Sequence, residues 1–354
     1  KTAAFLLGWA QSIIYFPAMI AALAVIFSTQ VLSLLNLDKT WHIPIAFITA
    51  ASLMFLNFLG GKTGGIIQTV ATICKLIPLG AIIIFGLFQE NSQPLQLFPI
   101  EAGKDISFVG GLGGALLAAM FAYEGWTNVG SMAGEMKNPK KDLPRAIFLG
   151  LAVVMAVYVL INIAYLMSLP LDRVAGNQTV ASEVAAKLFG GLGGKILTIG
   201  ILISVYGAIN GFTMAGIRIP YAMALSDQIP FKHVWTKLNK SAIPVNSGLL
   251  LLVMSGIMML TGSFDMLTDL LVFVMWFFYT ATFFAVIILR KKDPDLERPY
   301  KVPLYPIIPI IAILGGLYTL ISTLTSQITL ALGGIGLTLI GLLFYKELHK
   351  KFKK

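Results

Sequence analysis

Ten stretches of this chain are each apolar over roughly 20 residues, the length that crosses a hydrocarbon core of about 30 Å, and mostly short polar connections join them. They lie near 3–35, 43–59, 64–88, 108–134, 145–168, 193–225, 245–261, 265–289, 304–323 and 327–345. Backbone exposed to lipid must satisfy its own hydrogen bonds, so runs of this length predict an all-α integral membrane protein of about ten transmembrane helices. Composition agrees: 57% of the residues are hydrophobic and 12% charged, against roughly 25% charged in soluble domains.

The formal charge of +10 suggests nucleic acid in a soluble protein, but here the basic residues sit in the connections between apolar runs. One set of connections, with both chain ends, holds 19 Lys and Arg; the other holds five, Lys39, Lys104, Arg173, Lys187 and Lys195. The positive-inside rule makes the first set cytoplasmic, and both ends with it. Topology accounts for the charge and no nucleic-acid partner is expected.

Other function classes lack their residues. Cys74 is the single cysteine, and His42, His233 and His349 are far apart in sequence, so neither a disulfide nor a Cys/His metal cluster is available. Around Gly194-Lys195, Phe189 and Ile196 stand where a Walker A motif needs Gly and Ser or Thr. No nucleophile–base pair appears within the spans, so neither an enzyme nor a cofactor is expected.

The outer connection 169–192 is long enough for structure of its own. Val180, Val184 and Leu188 recur at i, i+4 and i+8 and predict a short amphipathic helix over the outer face. Asn177-Gln178-Thr179 matches the glycosylation pattern, without weight in a bacterial protein. "GGLGG" occurs at 110–114 and again at 190–194, opening a span each time; glycine at a helix entrance explains it more simply than an internal repeat. "KTAAFLLGWAQSIIYFP" enters a span at once, as in an excerpt or a chain lacking its first helices.

Several polar residues fall at membrane depth. Lys75 lies about eleven residues into its span, some 16 Å deep at roughly 1.5 Å per residue. An ammonium there needs protein or water around it, either as a structural contact or as a fixed charge in a solute pathway. In "FAYEGWTNVG" a carboxylate, Glu124, adjoins Gly125, and both are unfavourable in a smooth helix. An unwound stretch lining a cavity accommodates both, and its half-helix ends can hold the ammonium and carboxylate of a zwitterion. Phe121, Tyr123 and Trp126 can then close over a small molecule, whereas Trp276 and Tyr279 read as packing. Asn210 and Thr213 either bond between helices or line the cavity. Glu135 and Arg218, toward the cytoplasmic side, are candidates for an inner gate.

Four stretches, "GWAQSIIYFPAMIAAL", "TVATICKLIPLG", "FAYEGWTNVGSMAGEMKNPKKDLPRAI" and "ERPYKVPLYPIIP", resemble the amino acid–polyamine–organocation superfamily, and within it bacterial members of the L-type amino acid transporter family. The third is the most specific, and the similarity covers essentially the whole chain. The resemblance implies that the spans correspond to family helices three to twelve of an inverted five-plus-five repeat in one transmembrane domain, 1–354. The first repeat is then incomplete, about 1–88. The second runs 108–261 by span count, or 108–289 by the family pattern, with extra helices at 304–345.

On the same resemblance, Phe121, Ala122, Tyr123, Glu124, Gly125 and Trp126 form a substrate-binding break whose backbone carbonyls receive the amino group; Asn210, from its place within a span, is a further candidate for substrate binding. Lys75 stands where sodium-coupled relatives hold sodium, which implies sodium-independent exchange. Pairing of Lys75 with Glu124 stays open. An acid at 124 attracts a cationic cargo side chain, points into protein, or binds a polar side chain through water. "LNLDKTWH" lacks the cysteine that joins animal relatives to a glycoprotein, so no disulfide-linked partner is expected. The expected function is exchange of small neutral L-amino acids across a bacterial cytoplasmic membrane. The alternatives are proton-coupled uptake of amino acids or cationic amines, and a non-transporting sensor or scaffold.

Overall fold

The computed structural model describes residues 2–90, 92–95, 107–129, 136–261, 263–298 and 300–351. Among them every regular element is helical. The long helices are α1 (Thr2–Leu35), α2 (His42–Phe58), α3 (Gly61–Leu87), α4 (Phe108–Ala122), α5 (Pro139–Ser168) and α6 (Val180–Gly216). They continue as α7 (Arg218–Leu225), α8 (Val245–Thr261), α9 (Phe264–Lys292), α10 (Ile307–Ser326) and α11 (Ile328–Lys351). Nine helical stretches among the described residues are long and apolar enough to cross a bilayer; Val245–Leu260 is apolar but shorter. The protein is therefore an all-α integral membrane protein.

Local chemistry sets the helix limits. Pro17 cannot donate to a preceding carbonyl, and the π-helical turn Gln11–Tyr15 lies just before it within α1. α1 stops at Asn36, whose φ of 52° is the left-handed C-terminal conformation asparagine tolerates. The Thr40 amide then donates to Asp38 Oδ1 at 2.8 Å, which holds that carboxyl below the usual carboxylate range. α5 begins at Pro139, six residues before the expected span, where the Asp142 carboxylate accepts from the Asn138 amide at 3.1 Å.

The chain divides into two compact units. The first holds α1 to α3, the second half of α5, α6, α7, α8 and the end of α11. Its helices approach closely where side chains are small: a Cβ added at Gly207 of α6 would lie 2.1 Å from the Ala71 Cβ of α3, and one at Gly86 would lie 2.8 Å from that of Ala164. Ile82, Ile161, Ala164, Leu169, Val184 and Ala185 form a buried cluster, with Val180 and Leu188 packed against it. The expected amphipathic stripe of the outer connection thus covers α3 and α5. Gln30 fastens the segment to α1, donating to the Gln178 carbonyl and accepting from Ser182 Oγ, both at 2.7 Å.

Gly190, at φ 70°, supplies the bend that turns this outer helix into the membrane span; a side chain there would be strained. The first "GGLGG" does something different. In the second unit, which holds α4, the first part of α5, most of α9, α10 and the first half of α11, Gly113 lets α4 approach Ser322 of α10 so closely that a Cβ would lie 1.9 Å from its Oγ. Tyr318 Oη donates to the Val109 carbonyl at 2.8 Å across the same pair. One pentapeptide is a bend and the other a contact face. Asn177 Nδ2 donates to the Arg173 carbonyl and to Glu183 Oε1, so that asparagine is built into the outer cap.

Candidate functional site

The helical ladder of α4 breaks where the sequence places Glu124-Gly125. The Tyr123 amide still reaches the Ala119 carbonyl at 3.0 Å, but the Glu124 amide turns to Phe121, three residues back, also at 3.0 Å. Gly125 then adopts φ 107°, a conformation closed to L side chains, and 126–129 form a single 3-10 turn closed by the Asn128 amide on the Gly125 carbonyl. Phe121 and Ala122 are the last residues of α4, and Tyr123, Glu124 and Gly125 make the turn. Glutamate and glycine at this depth are accommodated because no regular helix runs through them.

Tyr279 of α9 meets this break. Its Oη donates to Glu124 Oε1 at 2.7 Å, and with that proton committed, the Thr127 hydroxyl 3.4 Å away is the donor to Tyr279. The Trp126 and Trp276 rings each lie 5.9 Å from that of Tyr279, tilted and edge-on. Trp276 Nε1 is buried without an acceptor among the described residues. A buried donor of this kind is uncommon and is a point where an incoming oxygen gains a hydrogen bond. Packing was the expectation for Trp276 and Tyr279; their rings do pack together, and Tyr279 in addition bonds to Glu124 of the break, in the same unit. Their signal in the sequence was an indole and a phenol at i and i+3 within a span, since buried aromatic polar groups need partners.

The other expected site residues lie elsewhere. Asn210 of α6 is fully buried in the first unit. Its Oδ1 accepts from Asn57 Nδ2 at 2.9 Å, and its Nδ2 donates to the Gly64 carbonyl at 2.9 Å and to Gln68 Oε1 at 3.3 Å. These bonds tie α2, α3 and α6 together, which is the interhelical role of the two open to it. Thr213, one turn on, has a buried hydroxyl without a partner among the described residues.

Lys75 lies midway along α3 in the first unit and is half-buried, with no carboxylate paired to it among the described residues. Three residues on, Pro78 offers no amide to the Cys74 carbonyl of the same helix. Arg218 opens α7, exposed, and donates to the Met214 carbonyl one turn back. Glu135, its expected gate partner, lies outside the described residues. Among the described residues no group of three or more His, Cys, Asp or Glu is placed to hold a metal ion.

Comparison with known proteins agrees with this architecture. The amino acid permease family model matches residues 1–341. The serine/threonine exchanger SteT of Bacillus subtilis is 38% identical over 98% of this chain and 78% of its own length. The mouse large neutral amino acids transporter small subunit 2 is 30% identical over 97% of this chain, and the human cystine/glutamate transporter 29% over 85%. The chain spans less than two thirds of these two animal relatives, 65% and 61%. With its four motif stretches, broken α4 and all-helical membrane architecture, the chain belongs to the amino acid permease family of the amino acid–polyamine–organocation superfamily, together with the L-type amino acid transporters.

Proposed function

We propose that the protein exchanges small neutral L-amino acids across a bacterial cytoplasmic membrane by alternating access and without sodium. The observation that carries this reading is the interruption of α4 at Tyr123–Gly125, where the backbone leaves the helical ladder beside Tyr279 and two tryptophans. The substrate's amino group meets carbonyls of residues 121–126, and the aromatic rings close over its body. Lys75 serves as the fixed cation in place of sodium, and Asn210 holds the helices that carry it.

Cargo size and charge follow from Glu124. Its carboxylate accepts a hydrogen bond from Tyr279 Oη at 2.7 Å and is tied into the wall of the site, and the neutral cargo class proposed here is one in which that carboxylate serves the turn and not a cationic side chain. The buried Trp276 N–H adds a donor that suits a hydroxyl or carbonyl oxygen. The likeness to a serine/threonine exchanger supports the same cargo class. Both chain ends are assigned to the cytoplasm by the excess of Lys and Arg on their side.

Proton-coupled uptake is the second reading, and Glu124 favours it, as an ionisable group at the break. Counterflow distinguishes the two in proteoliposomes bearing the protein expressed from its complete reading frame. Exchange predicts uptake of labelled serine or alanine stimulated by the same amino acid inside and indifferent to sodium and pH gradients. Uptake that requires a proton gradient and ignores internal amino acid overturns it in favour of symport.

A further inference from the structure

A cavity of about 330 Å³ opens in the first unit, where α2 passes into α3 and where α7 leads through the segment 226–244 to α8. Asn57, Arg218 and Tyr221 give its wall polar groups, and Met214, Leu225 and Leu238 give it apolar surface. None of the residues of the α4 break, nor Trp276 or Tyr279, belongs to it. It lies at the face that the Lys and Arg excess marks as cytoplasmic.

The surroundings are basic. Lys62 follows Gly61 of the wall, and the segment 226–244 carries Lys232, Lys237 and Lys240 against a single acid, Asp227, already paired with Lys232 at 2.9 Å. Arg218 has five N–H donors; one bond, to the Met214 carbonyl, is made within its own chain segment, and no carboxylate among the described residues pairs with it. The same segment has the make-up of a membrane-interface element. Phe231 is 68% exposed beside Lys232, Trp235 follows with its indole bonded to the Pro230 carbonyl, and Leu238 lies between Lys237 and Asn239.

We propose that this cavity binds the phosphate head of an anionic phospholipid from the cytoplasmic leaflet. Arg218 and Tyr221 donate to the phosphate oxygens, and Met214, Leu225 and Leu238 cover the glycerol and first methylenes. Basic pockets between transmembrane helices on the cytoplasmic side suit such headgroups. Among the described lining residues no carboxylate balances Arg218, which leaves its charge available to an anion. A small soluble anion leaves Leu225 and Leu238, 51% and 41% exposed, in water. The inference rests on this face being cytoplasmic and is independent of which solute is carried.

Native mass spectrometry of the detergent-solubilised protein tests it without any transport measurement. Phosphatidylglycerol and phosphatidylcholine of identical acyl chains are titrated separately, and preferential retention of phosphatidylglycerol is expected. Arg218→Gln should lower that retention about fivefold, the effect of one basic side chain near an anionic surface. Ala222→Trp, at an exposed position of the wall, should lower it comparably by filling the cavity while every charge remains. Arg145→Gln, which also removes one positive charge but does not line the cavity, should leave it unchanged. Equal retention of the two lipids by the unaltered protein, or full phosphatidylglycerol retention in Ala222→Trp, overturns the proposal. Displacement of the lipid by equimolar glycerol phosphate overturns the lipid assignment and identifies a soluble-anion site.

Discussion

Tyr279 donates its phenolic proton to Glu124 Oε1 at 2.7 Å, linking α9 to the turn that interrupts α4. A charge that is costly in lipid is thereby held by a specific donor, and the turn that carries it is tied to a second helix. A bond to a charged group contributes about 1.5–3 kcal/mol, so Tyr279→Phe should slow exchange about tenfold to a hundredfold. In a double-mutant cycle with Glu124→Gln the losses should fall well short of adding. Additive losses in counterflow rates would mean that the two residues act separately.

Gly125 adopts φ 107°, where a Cβ is strained by about 1–3 kcal/mol. Gly125→Ala should therefore lower the melting temperature of the purified protein and depress exchange at unchanged expression. A fully active, equally stable Gly125→Ala protein would show that the turn is not held in this conformation.

Trp276→Phe keeps a ring beside Tyr279 but removes an N–H that has no acceptor among the described residues. Stability should stay the same or rise slightly, because a buried unsatisfied donor is lost. Substrate affinity should fall several-fold, about the value of one hydrogen bond. Unchanged KM for every amino acid in a panel would return Trp276 to packing alone.

Asn210→Ala removes the bond from Asn57 Nδ2, which keeps the Leu53 carbonyl as a partner, and the bond to the Gly64 carbonyl, at a cost of about 0.5–1.5 kcal/mol for each bond lost. Thermal unfolding should show clear destabilisation, and Asn57→Ala combined with Asn210→Ala should cost less than the two changes summed. Destabilisation is the expected readout here; a change in cargo preference at unaltered stability would make Asn210 a ligand instead.

Lys75 tests the coupling assignment. If its ammonium takes the place of a cation, the unaltered protein should be indifferent to sodium and Lys75→Ser should exchange slowly and gain stimulation by external sodium. A Lys75→Ser protein that exchanges at the normal rate without sodium would assign Lys75 to helix packing.

The membrane class, the helix count to within one short segment and the location of the break were legible in the chain itself. Those properties depend on runs of apolar residues, on the incompatibility of Glu124-Gly125 with a buried helix, and on loop charge, all of which are local. The identical pentapeptides at 110–114 and 190–194 were not separable in this way. Only neighbours distinguish them: Ser322 presses on Gly113, whereas Gly190 turns the backbone to φ 70°. Likewise Tyr279 reads as packing, because what gives it a role is a partner some 155 residues away in the chain. The interruption of α4 is intrinsic to its residues; the phenol that holds Glu124 there, and the asparagine pair that locks α2, α3 and α6, exist only once distant helices have packed, since a hydrogen bond at membrane depth is defined by both of its ends.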